Sequence, residues 1–518
     1  MFHVVHTFAL VGVEPIRIRV EITIRRGTPG IRTSGLAPSA ARETVERIRA
    51  AAANLGLRIP GLRITVNLAP ADVPKAGASF DLPLLIGVLA GAGTIPQRQF
   101  ERTALVGELG LDGSIRPVRG ILPMALRCRT EPDLDTLIVP RDNVGEVAGV
   151  PDVTALGAAD LQSVLAFLGG TGELTRSGCA PNRAEDREGP VLEEVRGQVA
   201  AKRALEIAAA GGHHLLLSGE PGSGKTMLSM RLPGLLPPLR PDEALEVSSV
   251  HSVAGCLGPG SPLLRKRPFR APHHSVSSAG LLGGGAVPRP GEASLAHRGV
   301  LFLDELPEFR PAVLDALRSP LDQGVVHIVR ARAAMTFPAR FQLVAAMNPC
   351  PCGYLTSSSG RCTCEAWMIR RYESRISGPL LDRFDIRLEI PAVQWADLRG
   401  DPAPGDTTAE RRARVVQARN RALHRTAELT GSDSDLPTCN AELGPREIRR
   451  QCSLDPEGEA LLGRSVSRFG LSARGCDRIL RVARTVADLE GSTNVRVGHL
   501  AEALHYRVAA CGHRVYGP

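Results

Sequence analysis

From Val13 to Ile24 apolar and polar side chains alternate (VEPIRIRVEITI), the period of a strand with one face on a core. Between Ser39 and Leu55 the apolar positions recur at helical spacing instead. RITVNLAP reads as another strand, FDLPLLIGVLAGAG as an apolar helix, and ALVGELGLDGSIRPV as a hairpin turning at Asp112-Gly113. Residues 1–168 therefore read as an α+β domain. Over 169–189 the pattern dissolves into GGTGELTRSGCAPNRAEDREG, polar and rich in chain breakers, which predicts a linker. A helix near Leu192–Ala210 opens a second region, 190–395, where short apolar strands alternate with loops and helices, the pattern of an α/β core with a parallel sheet. The remainder, 396–518, starts in the loop DPAPGDTTAE, and from about Ala409 it is helical in period and rich in arginine. No internal repeat is visible.

Three strand ends in the second region carry candidate chemistry. The apolar run His214–Ser218 leads into GEPGSGKT, that is Gly219, Glu220, Pro221, Gly222, Ser223, Gly224, Lys225 and Thr226, and then into a helix. Strand, glycine loop and helix in this order form a phosphate cradle: the glycines let successive N–H groups turn inward, and the helix start adds positive dipole. Lys225 is placed to reach the β- and γ-phosphates of ATP, and Thr226 to ligate Mg²⁺. GVLFLDELPEF ends a second strand on Asp304 and Glu305, one carboxylate for the magnesium shell and one to polarise an attacking water. FQLVAAMNP ends a third on Asn348, an amide able to orient that water.

With these strand ends identified, the chain resembles the ComM/YifB family, the magnesium-chelatase-like AAA+ proteins of bacteria. The resemblance is carried by VNLAPAD, FDLP, GELGLDGSIRPVRG, FRAPHHSVS, LGGGAVPRPGEASLAHRGVLFLDELPEF, NPCPCGY and RILRVARTVADLEG. It implies an AAA+ P-loop core with a helical lid, assembled as a homo-hexamer with ATP sites between subunits. It also implies an arginine in LLDRFDI, Arg383, that reaches the neighbour's γ-phosphate; the plainer alternative is an ion pair within the chain to Asp382 or Asp385. In LSARGCDRIL the second-sensor position falls on Arg474, expected on the nucleotide. VVHIVRARAAMTFPA matches the pore hairpin of MCM-like motors, which makes Arg330 and Arg332 candidate contacts to DNA phosphates.

The first domain resembles that of Lon-type proteases, whose activity needs a serine and a lysine. PKAGASFDLP retains Ser79, but the segment RPVRGILPMALRC has Leu122 where the lysine is expected, and Lys75 lies in the wrong segment. A serine without a base is a poor nucleophile, so this domain reads as a structural or binding module.

Cys350, Cys352, Cys362 and Cys364 form C-x-C-x₉-C-x-C, the number of thiolates a structural Zn²⁺ needs. The spacing is tighter than C-x₂-C, and reduced loop thiols or redox chemistry remain alternatives. For the pair His273–His274, pore-loop or structural roles lead. A net charge of +9 and pI about 9.2 are compatible with nucleic acid, although the excess is almost wholly arginine. No apolar run reaches the ~18 residues of a membrane span, and the first residues lack a basic leader. A cytoplasmic protein without membrane contact is therefore expected. Three tasks follow: a DNA motor for branch migration during recombination and natural transformation, a chelatase-type remodelling ATPase, and an unfoldase linked to proteolysis. The missing lysine disfavours the last, and the first domain and cysteine cluster disfavour the second. Single-stranded or branched DNA, with recombination proteins as further partners, is the favoured substrate.

Overall fold

The computed structural model describes residues 2–75, 77–96, 100–148, 150–176, 189–258, 263–285, 288–330, 333–357, 360–392, 406–430 and 437–508. The alternating run forms the strand Glu14–Arg25, which pairs antiparallel with Phe2–Val11 through a turn at Gly12. Its inward residues Ile18, Val20 and Ile22 are fully buried. Over them lies the apolar helix Asp81–Gly91, held close because Gly87 has no side chain: a Cβ there would come 2.3 Å from Ile22 Cδ1.

These strands belong to a mixed eight-stranded sheet. Its spatial order is Thr175–Arg176, Thr154–Ala158, Thr136–Pro140, Thr103–Leu105, Phe2–Val11, Glu14–Arg25, Arg63–Ala69 and Gly30–Ser34. The strands Thr103–Leu105, Thr136–Pro140 and Thr154–Ala158 pair in parallel and are largely buried, so they show little of the alternation that reveals a half-exposed strand. The start of the chain-breaker stretch also joins this sheet, since Thr175–Arg176 forms its edge. Residues 177–188 of that stretch lie outside the described residues.

The second region is built on a five-stranded parallel sheet in the order Phe269–Arg270, Val300–Leu303, Gln342–Met347, Leu215–Gly219, Ile386–Ile390. Helix Val199–Gly211 covers one face. The lid helices Thr408–Thr430, Ala473–Leu489 and Val497–Val508 pack into the same apolar cluster, where Leu205, Leu217 and Ile386 meet Ile479, Val482 and Leu500. Core and lid thus share one hydrophobic interior. A hairpin, Val325–Arg330 with Ala333–Pro338, stands out from this core. Its buried residues Ile328 and Phe337 lie in a cluster to which Val11 and Val13 of the first domain add. The two domains meet again where Ser252 Oγ donates to the buried Glu146 carboxylate at 2.5 Å and Gly120 N donates to Ser252 O at 3.1 Å. Burial raises the Glu146 carboxyl above its ordinary pKa, against the hydrogen bonds from Ser252 and Asn143.

Asp385, at the start of the edge strand, is nearly inaccessible. It accepts from His214 N at 3.1 Å and from Arg478 of the lid at 2.8 Å, with the His213 ring 3.6 Å away. Burial alone raises its pKa, but the His213 ring and the Arg478 charge together hold it well below the usual carboxylate range. Asp385→Ala leaves Arg478 facing a pocket without its counter-charge, so a loss of roughly 3 kcal/mol is expected. Chemical denaturation checks it: an unchanged midpoint would show that the pair does not tie lid to core.

Candidate active site

Lys225 leaves the loop at the start of helix Lys225–Ser229. Its ammonium group donates to the carbonyl oxygens of Gly219 (2.7 Å) and Glu220 (2.8 Å), and burial lowers its pKa, opposed by the charge of Asp304. Gly222 and Gly224 have φ of 78° and 91°, left-handed values that side chains resist, and a Cβ on either would enter open space. Ser223 Oγ is buried with no hydrogen-bond partner among the described residues. A cradle bordered by bare glycines, a cation and an orphaned hydroxyl fits a polyphosphate.

The parallel order puts the three polar strand ends side by side. Thr226 Oγ1 donates to Asp304 Oδ2 at 2.6 Å, and Glu305 N donates to Asp304 Oδ1 at 2.9 Å. A hydroxyl and a carboxylate brought together at the cradle form the oxygen donor set that Mg²⁺ takes beside phosphates. Glu305 has φ 52°, a left-handed conformation uncommon outside glycine, and its carboxylate is exposed. Its partner is one that the sequence pattern does not single out: His274 Nδ1 lies 3.5 Å from Glu305 Oε2, with the His273 ring tilted against it at a centroid distance of 4.0 Å. FRAPHH brings His274 there by extending the strand that pairs with the one ending on Asp304, an adjacency visible only in the folded sheet. Asn348 follows the strand between the Asp304 strand and the loop strand. It lies close to Pro221, since a Cβ on Gly353 would touch both.

Arg383 and Arg474 are not with these groups. Both line a cleft of about 900 Å³ bordered by His214, Gln342 and Asp385, the residues at the starts of the strands whose other ends carry the loop. A five-residue strand spans ~16 Å, more than an arginine side chain covers. The expectation that Arg474 sits on the nucleotide is therefore corrected for a single chain: its helix places it at the opposite end of the sheet. Arg383 is ion-paired, but with Asp322 and not with Asp382 or Asp385, and it also donates to Pro379 O at 2.6 Å. Arg330 is exposed at the end of its hairpin strand, and Arg332 lies outside the described residues. Cys350, Cys352, Cys362 and Cys364 converge, with their sulfur atoms all within 4.8 Å of one another. In the first domain Lys75 donates to Pro70 O and Val73 O, no hydrogen bond joins it to Ser79 among the described residues, and Leu122 is fully buried.

Residues 191–398 match the family described as magnesium chelatase, subunit ChlI; residues 20–143 match subunit ChlI of Mg-chelatase, and 405–507 its C-terminal part. The chain is 44% identical over 506 residues to the uncharacterized protein YifB of Escherichia coli (strain K12), covering 97% of this chain and 96% of that one. It is 42% identical over 509 residues to the competence protein ComM of Haemophilus influenzae, covering 97% of each. Among the described residues no helix is long and apolar enough to cross a membrane.

Removing the cradle's cation should separate from removing the exposed carboxylate. Lys225→Ala is expected to weaken nucleoside triphosphate binding at least about tenfold, ~1.4 kcal/mol. Glu305→Gln should bind normally yet turn over ~10²-fold more slowly or worse. Nucleotide titration and phosphate release read the two effects; parental turnover by the Glu305 variant would remove it from the reaction.

Proposed function

Because the chain belongs to the ComM/YifB family of magnesium-chelatase-like AAA+ proteins, we propose that this AAA+-type ATPase works as a homo-hexameric ring motor on DNA. Its task on this reading is branch migration of recombination intermediates, including those formed in natural transformation. The competence name of one relative and the exposed arginine at the hairpin end support DNA as the substrate. The single observation that carries the ring is the separation of Arg383 and Arg474 from their own chain's cradle. Neither can serve the phosphates that its own Lys225 holds; Arg474 is exposed towards a neighbour's, and Arg383 reaches them by leaving Asp322.

The geometry supports the following assignment of roles. Backbone N–H groups of residues 219–226 and the Lys225 ammonium bind the phosphates, and Thr226 and Asp304 hold Mg²⁺, which supplies neutralising charge at the γ-phosphate. Glu305 polarises the attacking water and Asn348 orients it. His274, beside the Glu305 carboxylate, restrains that carboxylate's direction. Arg383 from the adjacent subunit stabilises charge on the transferring group, an effect worth ~10³–10⁵ in rate in related phosphoryl transfers. Arg474 approaches the same phosphates from the same neighbouring subunit. A chelatase-type remodelling role is the second reading, because the matched family descriptions carry that name. A DNA motor speeds its ATP turnover when given single-stranded or branched DNA, and a remodelling ATPase does not.

Two experiments test the reading. Arg383→Ala and Lys225→Ala proteins are each expected to be inactive as ATPases, but a mixture regains activity, because some interfaces then pair an intact cradle with an intact arginine. If mixed rings assemble and activity stays absent, the arginine does not act between subunits. Replacing Arg330 and Arg332 together by Ala should leave basal ATPase and assembly unchanged. DNA affinity and strand displacement should fall together, and the salt dependence of binding should become shallower by up to about two phosphate contacts. Parental unwinding of branched DNA by that variant would exclude the hairpin as the grip.

A further inference from the structure

The four cysteines meet directly against the phosphate cradle. Cys350 and Cys352 follow Asn348 out of the sheet, and Cys362 and Cys364 come back from the far arm of the same excursion. Their thiols are free. The Cys350 and Cys352 sulfurs are 3.3 Å apart, those of Cys350 and Cys362 3.8 Å, and those of Cys352 and Cys362 3.6 Å. Four thiolates around one tetrahedral ion, with metal–sulfur bonds of about 2.3 Å, stand about 3.8 Å from one another. These three sulfurs are therefore already near the spacing of one shared ion, and the Cys364 sulfur lies within 4.8 Å of each of them. An iron–sulfur cluster puts several irons and sulfides between its thiolates and would hold them farther apart. Soft thiolates without a carboxylate exclude the hard cations Mg²⁺ and Ca²⁺, and four protein ligands leave no open position for chemistry at the metal.

Both arms also touch the cradle. Gly353, with φ 87°, lies so near Pro221 that a Cβ would come 2.6 Å from its ring carbons. From the other arm the Arg361 guanidinium lies 4.5 Å over the Tyr354 ring and reaches the Glu220 carboxylate at 3.7 Å. Asn348 stands two residues before the first cysteine.

We propose that Cys350, Cys352, Cys362 and Cys364 bind one Zn²⁺, and that the ion staples the two arms together so that they hold Pro221, Glu220 and Asn348 in the geometry needed for ATP turnover. The first part stands on the sulfur geometry alone; the second rests on the ATPase reading. Arg361 is then a positioning residue, acting through Glu220.

Metal analysis of the full chain, purified under reducing conditions without added metal, should find about one zinc per chain. Less than ~0.2 equivalents in folded protein that also fails to take up added Zn²⁺ overturns the site. Replacing Cys350 and Cys362 by Ser should remove the zinc and slow turnover roughly ten- to a hundredfold, the scale of a misplaced catalytic group. That variant risks unfolding the arms, so Arg361→Ala supplies the independent measurement. Its zinc content should be unchanged, its KM for ATP raised severalfold, and Arg361→Lys should restore part of the loss. Parental kinetics in the reduced protein stripped of zinc, or in Arg361→Ala, overturn the staple. A chain that binds zinc yet never hydrolyses ATP refutes the ATPase reading and leaves the metal site standing.

Discussion

One buried carboxylate holds together the part of the molecule that faces away from the cradle. Asp385 closes the start of its strand onto His214 N, and through Arg478 it fixes the lid helix to the sheet. Arg383 lies two residues before it, and Arg474 one helical turn before Arg478. Arg478 also donates to the carbonyl of Arg383 at 2.7 Å, so the backbone of one arginine and the helix of the other are set by the same contacts. A carboxylate so placed is costly to bury and stays ionised only while its partners are present. That makes the arrangement of strand start and lid nearly all-or-none.

The parallel sheet turns this into a polarity. One end of the strands carries Lys225, Asp304, Glu305 and Asn348, and the opposite end carries the arginine cleft. The ends are joined by an apolar cluster that the lid helices share with the sheet. On the proposed ring reading, a chain built this way carries two halves of a site at opposite ends of one sheet.

How much of this was legible depended on how local each feature is. The glycine loop and the strand-end carboxylates were readable because strand, turn and helix follow one another without interruption. The first domain is less legible: Phe2–Val11 and the buried strands Thr136–Pro140 and Thr154–Ala158 go unrecognised, and Thr103–Leu105 is merged into the arm of the hairpin that pairs only over Glu108–Leu109 and Ile115–Arg116. A strand buried on both faces shows no alternation, and three apolar residues suit a helix equally well. Arg383's partner was out of reach for another reason. Asp322 is distant in sequence and near only after the hairpin has folded, whereas Asp382 and Asp385 are adjacent and point elsewhere. The place of Arg474 depends on how the lid docks, and no local motif encodes that. His274 beside Glu305 required knowing that the Phe269–Arg270 strand neighbours Val300–Leu303.

The turn at Gly12 has a mechanical consequence. A Cβ at that position would lie 2.7 Å from the carbonyl oxygen of Thr336, so the tip of the Phe2–Val11/Glu14–Arg25 ribbon bears directly on the hairpin that carries Arg330. Val11 and Val13 pack on either side of the turn into the hairpin's apolar base. A ten-residue strand is about 34 Å long. The ribbon is therefore a lever whose short end rests under the hairpin and whose long arm runs through the middle of the eight-stranded sheet. If the hairpin moves during turnover on the proposed motor reading, this contact passes the displacement to the first domain.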